Sequence, residues 1–436
     1  MIEDIIKKLK KHNLQDYEIF YSENKTTSID TDKTNFDKKE YDYDKGYGLR
    51  IFKDNKLGFV YFSDPKNIDS SIKTALKVLK IRPKLKDFQF HNKNPKMKVK
   101  AYDKKVIDLS EDKIQELIKG MLDNIKHTPI NCSITKNVSD IRILNSEGLD
   151  CSQTETSLIA SSYCSKKGQT GSEYYESYKL NIKDILKTGK IASKRANQKS
   201  KRISSCKLPI ILQGDALSEI IDSLFLTQIT GDKKHFKSSY LIGKENKQIA
   251  SDKLTLYEDP FCEAYSKTNF DGEGVEDDIS ILIDKGKFTG FVYNKETAAL
   301  DKVKTFGFCS RGSYKSFPDI GFSNILIKPG KTKNLEEIYK KYIVIDDLFG
   351  FHTANATTGD FSLTIGNGYI VDKTKKLHKQ QTQKGKQGEN KQYIQGNILS
   401  GNTYALLKNI SNIEKKTEIK GSFILPRILV KGLTLS

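Results

Sequence analysis

Ser139-Asp140-Ile141-Arg142-Ile143-Leu144, followed by Asn145-Ser146-Glu147-Gly148 and a Ser/Thr-rich run as far as Cys164, sets the architecture expected of this chain. The first six residues alternate as a strand does, the next four have turn chemistry, and the run to Cys164 reads as further extended chain. Two helices precede it. One begins at Asp64-Pro65, where an acceptor side chain stands before a proline at the first helical position, and its apolar face is Ile68, Ile72, Ala75, Leu76 and Leu79. The other begins near Ser110, with Glu111 and Asp112 at the positive end of the helix dipole and a stripe of Ile114, Leu117, Ile118, Met121, Leu122 and Ile125. Earlier still, Ile2, Ile5, Ile6 and Leu9 lie at helical spacing. Residues 17–21, 46–52 and 58–62 read as strands, the last two joined as a hairpin across Lys53-Asp54-Asn55-Lys56. Strands and helices thus come in unequal blocks rather than in strict alternation, which predicts an α+β fold and not a doubly wound sheet.

A chain of 436 residues exceeds one ordinary core, so two domains are expected. A basic, polar stretch from Thr188 to Ser205 places the boundary. Residues 1–195 are then a layer of helices on a mixed sheet, and residues 205–436 a mostly antiparallel β domain with a few helices. That second domain opens on a buried-type strand at 208–212 and a helix after Gly214-Asp215 carrying Leu217, Ile220, Ile221, Leu224 and Phe225 on one side. Turns are expected at 284–287 and 328–331. The Lys/Gln-rich tract 373–391 has almost nothing to bury and reads as a mobile polar loop.

Net charge is +19, which alone suggests nucleic acid or an anionic surface. Only seven of the basic residues are arginine, however, and arginine is the residue that reads guanine and phosphate with a two-pronged fork. A lysine-rich solvated surface is the simpler account, so neither nucleic acid nor a membrane is expected as a partner. Six cysteines lie far apart with no Cys-x-x-Cys pair, as in a reducing compartment. The N-terminus carries acids early and has no secretory apolar segment, and no uncharged run approaches the roughly 20 residues of a membrane span. A cytoplasmic protein is expected.

The usual catalytic arrangements are missing from the sequence. Its six histidines are never closer than 26 residues, whereas a helical zinc peptidase site needs two of them about one turn apart. Gly366-Asn367-Gly368 and Gly272-Glu273-Gly274 lack the third glycine and the strand-to-helix setting of a phosphate cradle. Asp271, Glu273, Glu276, Asp277 and Asp278 resemble a calcium loop only superficially, since Val275 falls where an alternating oxygen is required; a turn between strands is expected there. No Gly-x-Ser-x-Gly elbow occurs.

An ordered series of motifs nevertheless resembles the TldD/PmbA family, cytoplasmic proteins linked to zinc-dependent peptide hydrolysis. Asn145-Ser146-Glu147-Gly148-Leu149 is similar to a turn of that family's first domain. Phe270-Asp271-Gly272-Glu273-Gly274-Val275 resembles its Phe-Asp-x-Glu-Gly hallmark, and Ser323 to Gly330 its Thr-Asn-hydrophobic-Pro-Gly strand. Thr358-Gly359-Asp360-Phe361-Ser362, with Gly366-Asn367-Gly368 behind it, resembles the most specific motif, and Ser400-Gly401-Asn402 the turn before the last helix. The zinc-binding branch carries His-Glu-x-x-x-His on the first helix of its second domain; laid on this chain, those positions hold Asp222, Ser223 and Thr227. The family's late cysteine ligand has no counterpart after Cys309. The resemblance therefore implies the PmbA (TldE) branch: no catalytic residue and no metal in this chain, zinc in a TldD-like partner subunit, and extended or unfolded peptides as substrates. Asp271, Glu273, Gly274, Thr358, Gly359, Asp360, Phe361, Ser362 and Asn402 are the residues it points to for a cleft or interface. The alternative is a DNA- or gyrase-associated modulator, an activity historically attached to the family's name.

Overall fold

The computed structural model describes residues 2–304, 307–374 and 391–436. Most of the polar tract expected to be mobile, 375–390, lies outside the described residues. The chain forms two compact units. The first comprises Met1–Asn197, Pro260–Asp278 and Val292–Ser323, and the second Gln198–Asp259, Ile279–Phe291 and Asn324–Ser436. Where the sequence suggested one cut between 195 and 205, two later segments thus return to the first unit.

The first unit is built on six strands: β1 (Asp16–Asp32), β2 (Asn35–Lys53), β3 (Lys56–Phe62), β4 (Thr128–Asn145), β5 (Asp150–Lys166) and β6 (Gln169–Ser177). Their order across the sheet is β3-β2-β1-β4-β5-β6, with every pairing antiparallel. Short connections account for every pairing but β1 with β4. Asp54 and Asn55 between β2 and β3 take φ of +53° and +58°, and Lys167 and Gly168 between β5 and β6 take +49° and +81°. Two residues with positive φ make the tight turn whose twist suits a hairpin.

Four helices cover one face of this sheet. Ile5 and Leu9 from Ile2–Lys11 and Ile72 and Ala75 from Ile68–Leu79 pack on Ile19, Leu49 and Ile51. Ile114, Leu117, Ile118 and Met121 from Glu111–Asp123, with Ile185 from Ile182–Ala196, pack on Ile29, Ile134 and Leu158. Asp64 and Ser110 accept from the amides of Lys66 and Lys113, capping the two elements predicted to begin there. Side chains alternate along a strand, so Glu18, Phe20 and Ser22 look the other way from Ile19. There Phe20, Ile143, Leu149 and Cys151 are covered by Phe270 and Tyr314, which come from the two returning segments.

The second unit holds a twelve-stranded sheet with Ile210–Leu212 between Phe423–Val430 and Lys341–Phe349. It is mostly antiparallel; Ile325–Ile327 beside Phe423–Val430 and Ile210–Leu212 beside Lys341–Phe349 are its parallel pairs. Helix Gly214–Leu224 follows the central strand and buries Leu217, Ile220, Ile221 and Leu224, as its spacing predicts. The molecule is therefore a two-domain α+β protein. Among the described residues no helix is long and apolar enough to cross a membrane.

Candidate functional site

Helix Gly214–Leu224 and the short turn Leu226–Gln228 carry the three positions that the resemblance assigns to zinc binding. Ser223 donates its hydroxyl to Glu219 Oε2 at 3.3 Å, and Thr227 donates to the Ser223 carbonyl at 2.9 Å. Asp222 adds a single carboxylate. Zinc in proteins is held by imidazole, thiolate and carboxylate groups, three or more together. One carboxylate with two neutral hydroxyls, both already bonded locally, does not fit the ion.

In the same unit, strand Asp360–Asp372 pairs with Ile398–Asn402, setting Asp360 opposite Asn402 and Ser362 opposite Ser400. Gly359 enters this strand at φ +85°, and a Cβ there would stand 2.7 Å from the Tyr404 ring. Only glycine meets both conditions. Asn402 is the hub of the turn. Its Nδ2 donates to the Thr358 carbonyl and to Asp360 Oδ1, both at 2.8 Å, while its Oδ1 caps helix Thr403–Lys408 by accepting from the amides of Tyr404 and Ala405. Thr358 Oγ1 donates to Asp360 Oδ2 at 2.8 Å. The bonds from Asn402 and Thr358 hold the Asp360 carboxyl below the usual carboxylate range. Asp360 and Ser362 are exposed and Phe361 is buried. Tyr240, 44% exposed, stacks on Tyr404 at 4.2 Å. The result is an oriented surface acceptor, its carboxylate form favoured, beside an aromatic face. It suits holding a ligand better than moving a proton, because a general base works best with a pKa near the working pH.

The hallmark Phe270–Val275 forms the expected turn in the first unit. Phe270 bridges Glu276, the Asp271 amide donates to the Val275 carbonyl at 2.9 Å, and Gly274 takes φ +75°. Around it lies a buried ionic cluster. Arg50 donates through Nε and Nη2 to both oxygens of Glu18, at 2.9 and 2.7 Å, and through Nη1 to Glu273 Oε1 at 2.6 Å. Glu273 Oε2 accepts from the Lys295 amide at 2.7 Å, and Arg311 also donates to Glu18. Glu18, Arg50 and Glu273 are no more than 1% exposed. Burial opposes ionisation of Glu18, yet the guanidiniums of Arg311 and Arg50 hold its carboxyl below the usual range. Burial and the neighbouring Glu273 charge instead drive the Asp271 carboxyl well up.

Thr358 to Ser362 and Asn402 are thus gathered into one turn of the second unit, and Asp271, Glu273 and Gly274 into one turn of the first. Glu18, Arg50 and Arg311 were not singled out by the sequence reading. The available signal was Arg50 itself, a charge amid the apolar strand 46–52 in a chain with seven arginines, since such a residue is almost never fully buried unless paired.

By class this is a metallopeptidase-type fold. Residues 205–436 match the PmbA/TldA metallopeptidase C-terminal domain and residues 17–79 match domain 1 of the same family. The chain belongs to the PmbA/TldD family. It is 26% identical to an uncharacterized protein of Methanocaldococcus jannaschii, with 99% of each chain covered. Among solved structures it resembles TldE from Thermococcus kodakarensis at a TM-score of 0.83 and 20% identity, covering 100% of this chain and 99% of that one. A Thermotoga maritima protein whose name refers to modulation of a DNA gyrase gives 0.85 and 22%, again over 100% and 99%. At these identities the two structures speak for the fold alone.

Proposed function

We propose that this chain is the PmbA/TldE-like subunit of a heteromeric TldD/TldE-type metallopeptidase acting on extended or unfolded peptides. The observation that carries the reading is Asp222, Ser223 and Thr227, on helix Gly214–Leu224 and the turn after it, where the zinc-binding branch has its His-Glu-x-x-x-His. A TldD-like partner supplies the metal-activated water and the glutamate that serves as its general base. This chain walls the cleft and holds the peptide by main-chain hydrogen bonds along a sheet edge, a mode that tolerates many side chains. Precursor peptides whose leader must be removed belong to that class. The turn of Thr358, Gly359, Asp360, Phe361, Ser362 and Asn402, with its oriented carboxylate, is the part of this chain proposed to meet substrate or partner. The complex works in the cytoplasm.

Mixing the purified chain with a TldD-like subunit and following cleavage of an unfolded peptide tests this. Cleavage is expected only in the mixture and is expected to stop when chelator is added. Strong chelator-sensitive cleavage by this chain alone would overturn the assignment.

A further inference from the structure

We propose that Asp271, Glu273 and Cys309 form a buried structural site for a thiophilic divalent cation, zinc foremost, distinct from the helical position of the family's hydrolytic zinc. This departs from the expectation that the chain carries no metal of any kind. One donor atom from each of the three residues lies within 4.8 Å of the other two. Donors around a tetrahedral zinc, each about 2.0–2.3 Å from the ion, stand roughly 3.5 Å apart, so a small inward movement of side chains brings these three within reach of one ion, with water as the fourth donor.

The second observation is an unmet acceptor. Asp271 Oδ1 accepts from the amides of Glu273 and Val275 at 2.8 and 2.9 Å, whereas Oδ2 is buried with no hydrogen-bond partner. Asp271 is 7% exposed, and native folds rarely leave such an oxygen unsatisfied. Charge points the same way. In formal charge the two guanidiniums, Arg50 and Arg311, are matched by the two carboxylates Glu18 and Glu273, although Arg311 reaches Glu18 through Nη2 and its buried Nε and Nη1 have no hydrogen-bond partner. The Asp271 carboxylate and a Cys309 thiolate remain to balance a divalent ion, and buried charges persist only when balanced. Each oxygen of Glu273 accepts one bond and keeps a further lone pair.

The backbone is shaped for this approach. The Gly272 amide donates to the Cys309 carbonyl at 2.8 Å, and a Cβ on Gly272 would come within 3.1 Å of Cys309 Sγ. Glycine therefore lets the thiol lie directly against the turn. A sulfur donor favours zinc over calcium or magnesium. Three protein donors leave a fourth tetrahedral position to water, and burial of all three residues keeps substrate from it, so the ion's role is to clamp the returning segments Pro260–Asp278 and Val292–Ser323 together.

Full-length chain, purified from zinc-supplemented cells without a metal-binding tag, is expected to retain about one zinc per chain by elemental analysis. The zinc-stripped protein titrated with cobalt should develop a thiolate-to-cobalt charge-transfer band. Asp271→Asn and Cys309→Ser should each weaken retention at least roughly tenfold, whereas Cys164→Ser, which alters a buried thiol elsewhere in the first unit, should leave it unchanged. Equal retention by the Asp271 and Cys309 variants would overturn the site. Should either variant fail to fold, the wild-type chain still decides: neither retained zinc nor a cobalt band means there is no such site. Neither result bears on whether a partner is needed for cleavage.

Discussion

At the scale of single residues, Arg50 is the group on which most depends. It serves two carboxylates that are buried with it, and a buried ion pair that loses one member leaves the other charge uncompensated. Arg50→Met is expected to lower stability by about 3–5 kcal/mol, seen as a fall in the urea midpoint with little change in slope. A midpoint within error of the parent protein would show that the cluster is incidental. The residue-level site was half legible beforehand. Thr358, Gly359, Asp360 and Asn402 stood out because they resemble a motif of the family, and short polar side chains beside a glycine are also what a turn requires. The cluster of Glu18, Arg50, Glu273 and Arg311 did not, because its members are separated by up to 293 positions and nothing local records the pairing.

At the scale of elements, legibility followed burial. Ile68–Leu79, Glu111–Asp123 and Gly214–Leu224 were readable because capping and apolar spacing coincide in each. β1 and β2 run for 17 and 19 residues, far beyond the expected 17–21 and 46–52, since their outer halves are polar and need only backbone partners such as Ser28 opposite Glu40 and Thr135. An antiparallel ladder can keep one face wet, so the apolar alternation fades while the strand continues. Helix Lys295–Asp301 was missed because it is seven residues long and Ala298 is its buried residue. The elements of the second unit are also tied by charge. Arg427 on Phe423–Val430 reaches Glu414 on Ile410–Lys420 at 2.7 Å and Glu336 at 2.8 Å. Burial raises the Glu336 pKa and Arg427 lowers it, with the net result below the usual range. A depressed folded pKa means stability that is full above the unfolded carboxylate pKa and drains away as pH falls through the folded one. Thermal melts from neutral pH down to roughly pH 3 should therefore show a steeper acid loss in the parent protein than in Glu336→Gln, which starts lower at neutral pH. Parallel curves would contradict the assignment.

At the scale of the whole molecule, the first unit is discontinuous in sequence. Residues 1–197 cut from the rest would lose Phe270 and Tyr314 from the Phe20 cluster, and Glu273 and Arg311 from the ionic one. Expressed alone, that fragment is expected to be insoluble or to bind hydrophobic dyes, whereas adding residues 260–323 in the continuous chain restores a cooperative melt. A soluble fragment with a sharp transition would show that the returning segments are ornaments. The same arrangement has a consequence in time. Ribosomes extend a chain at about 5–20 residues per second, so Arg311 emerges on the order of 10–50 s after Arg50, and Glu18 waits that long for its second guanidinium. The nascent protein must spend this interval with an unfinished, charge-bearing sheet face, which makes early translation the period when chaperones matter most to it.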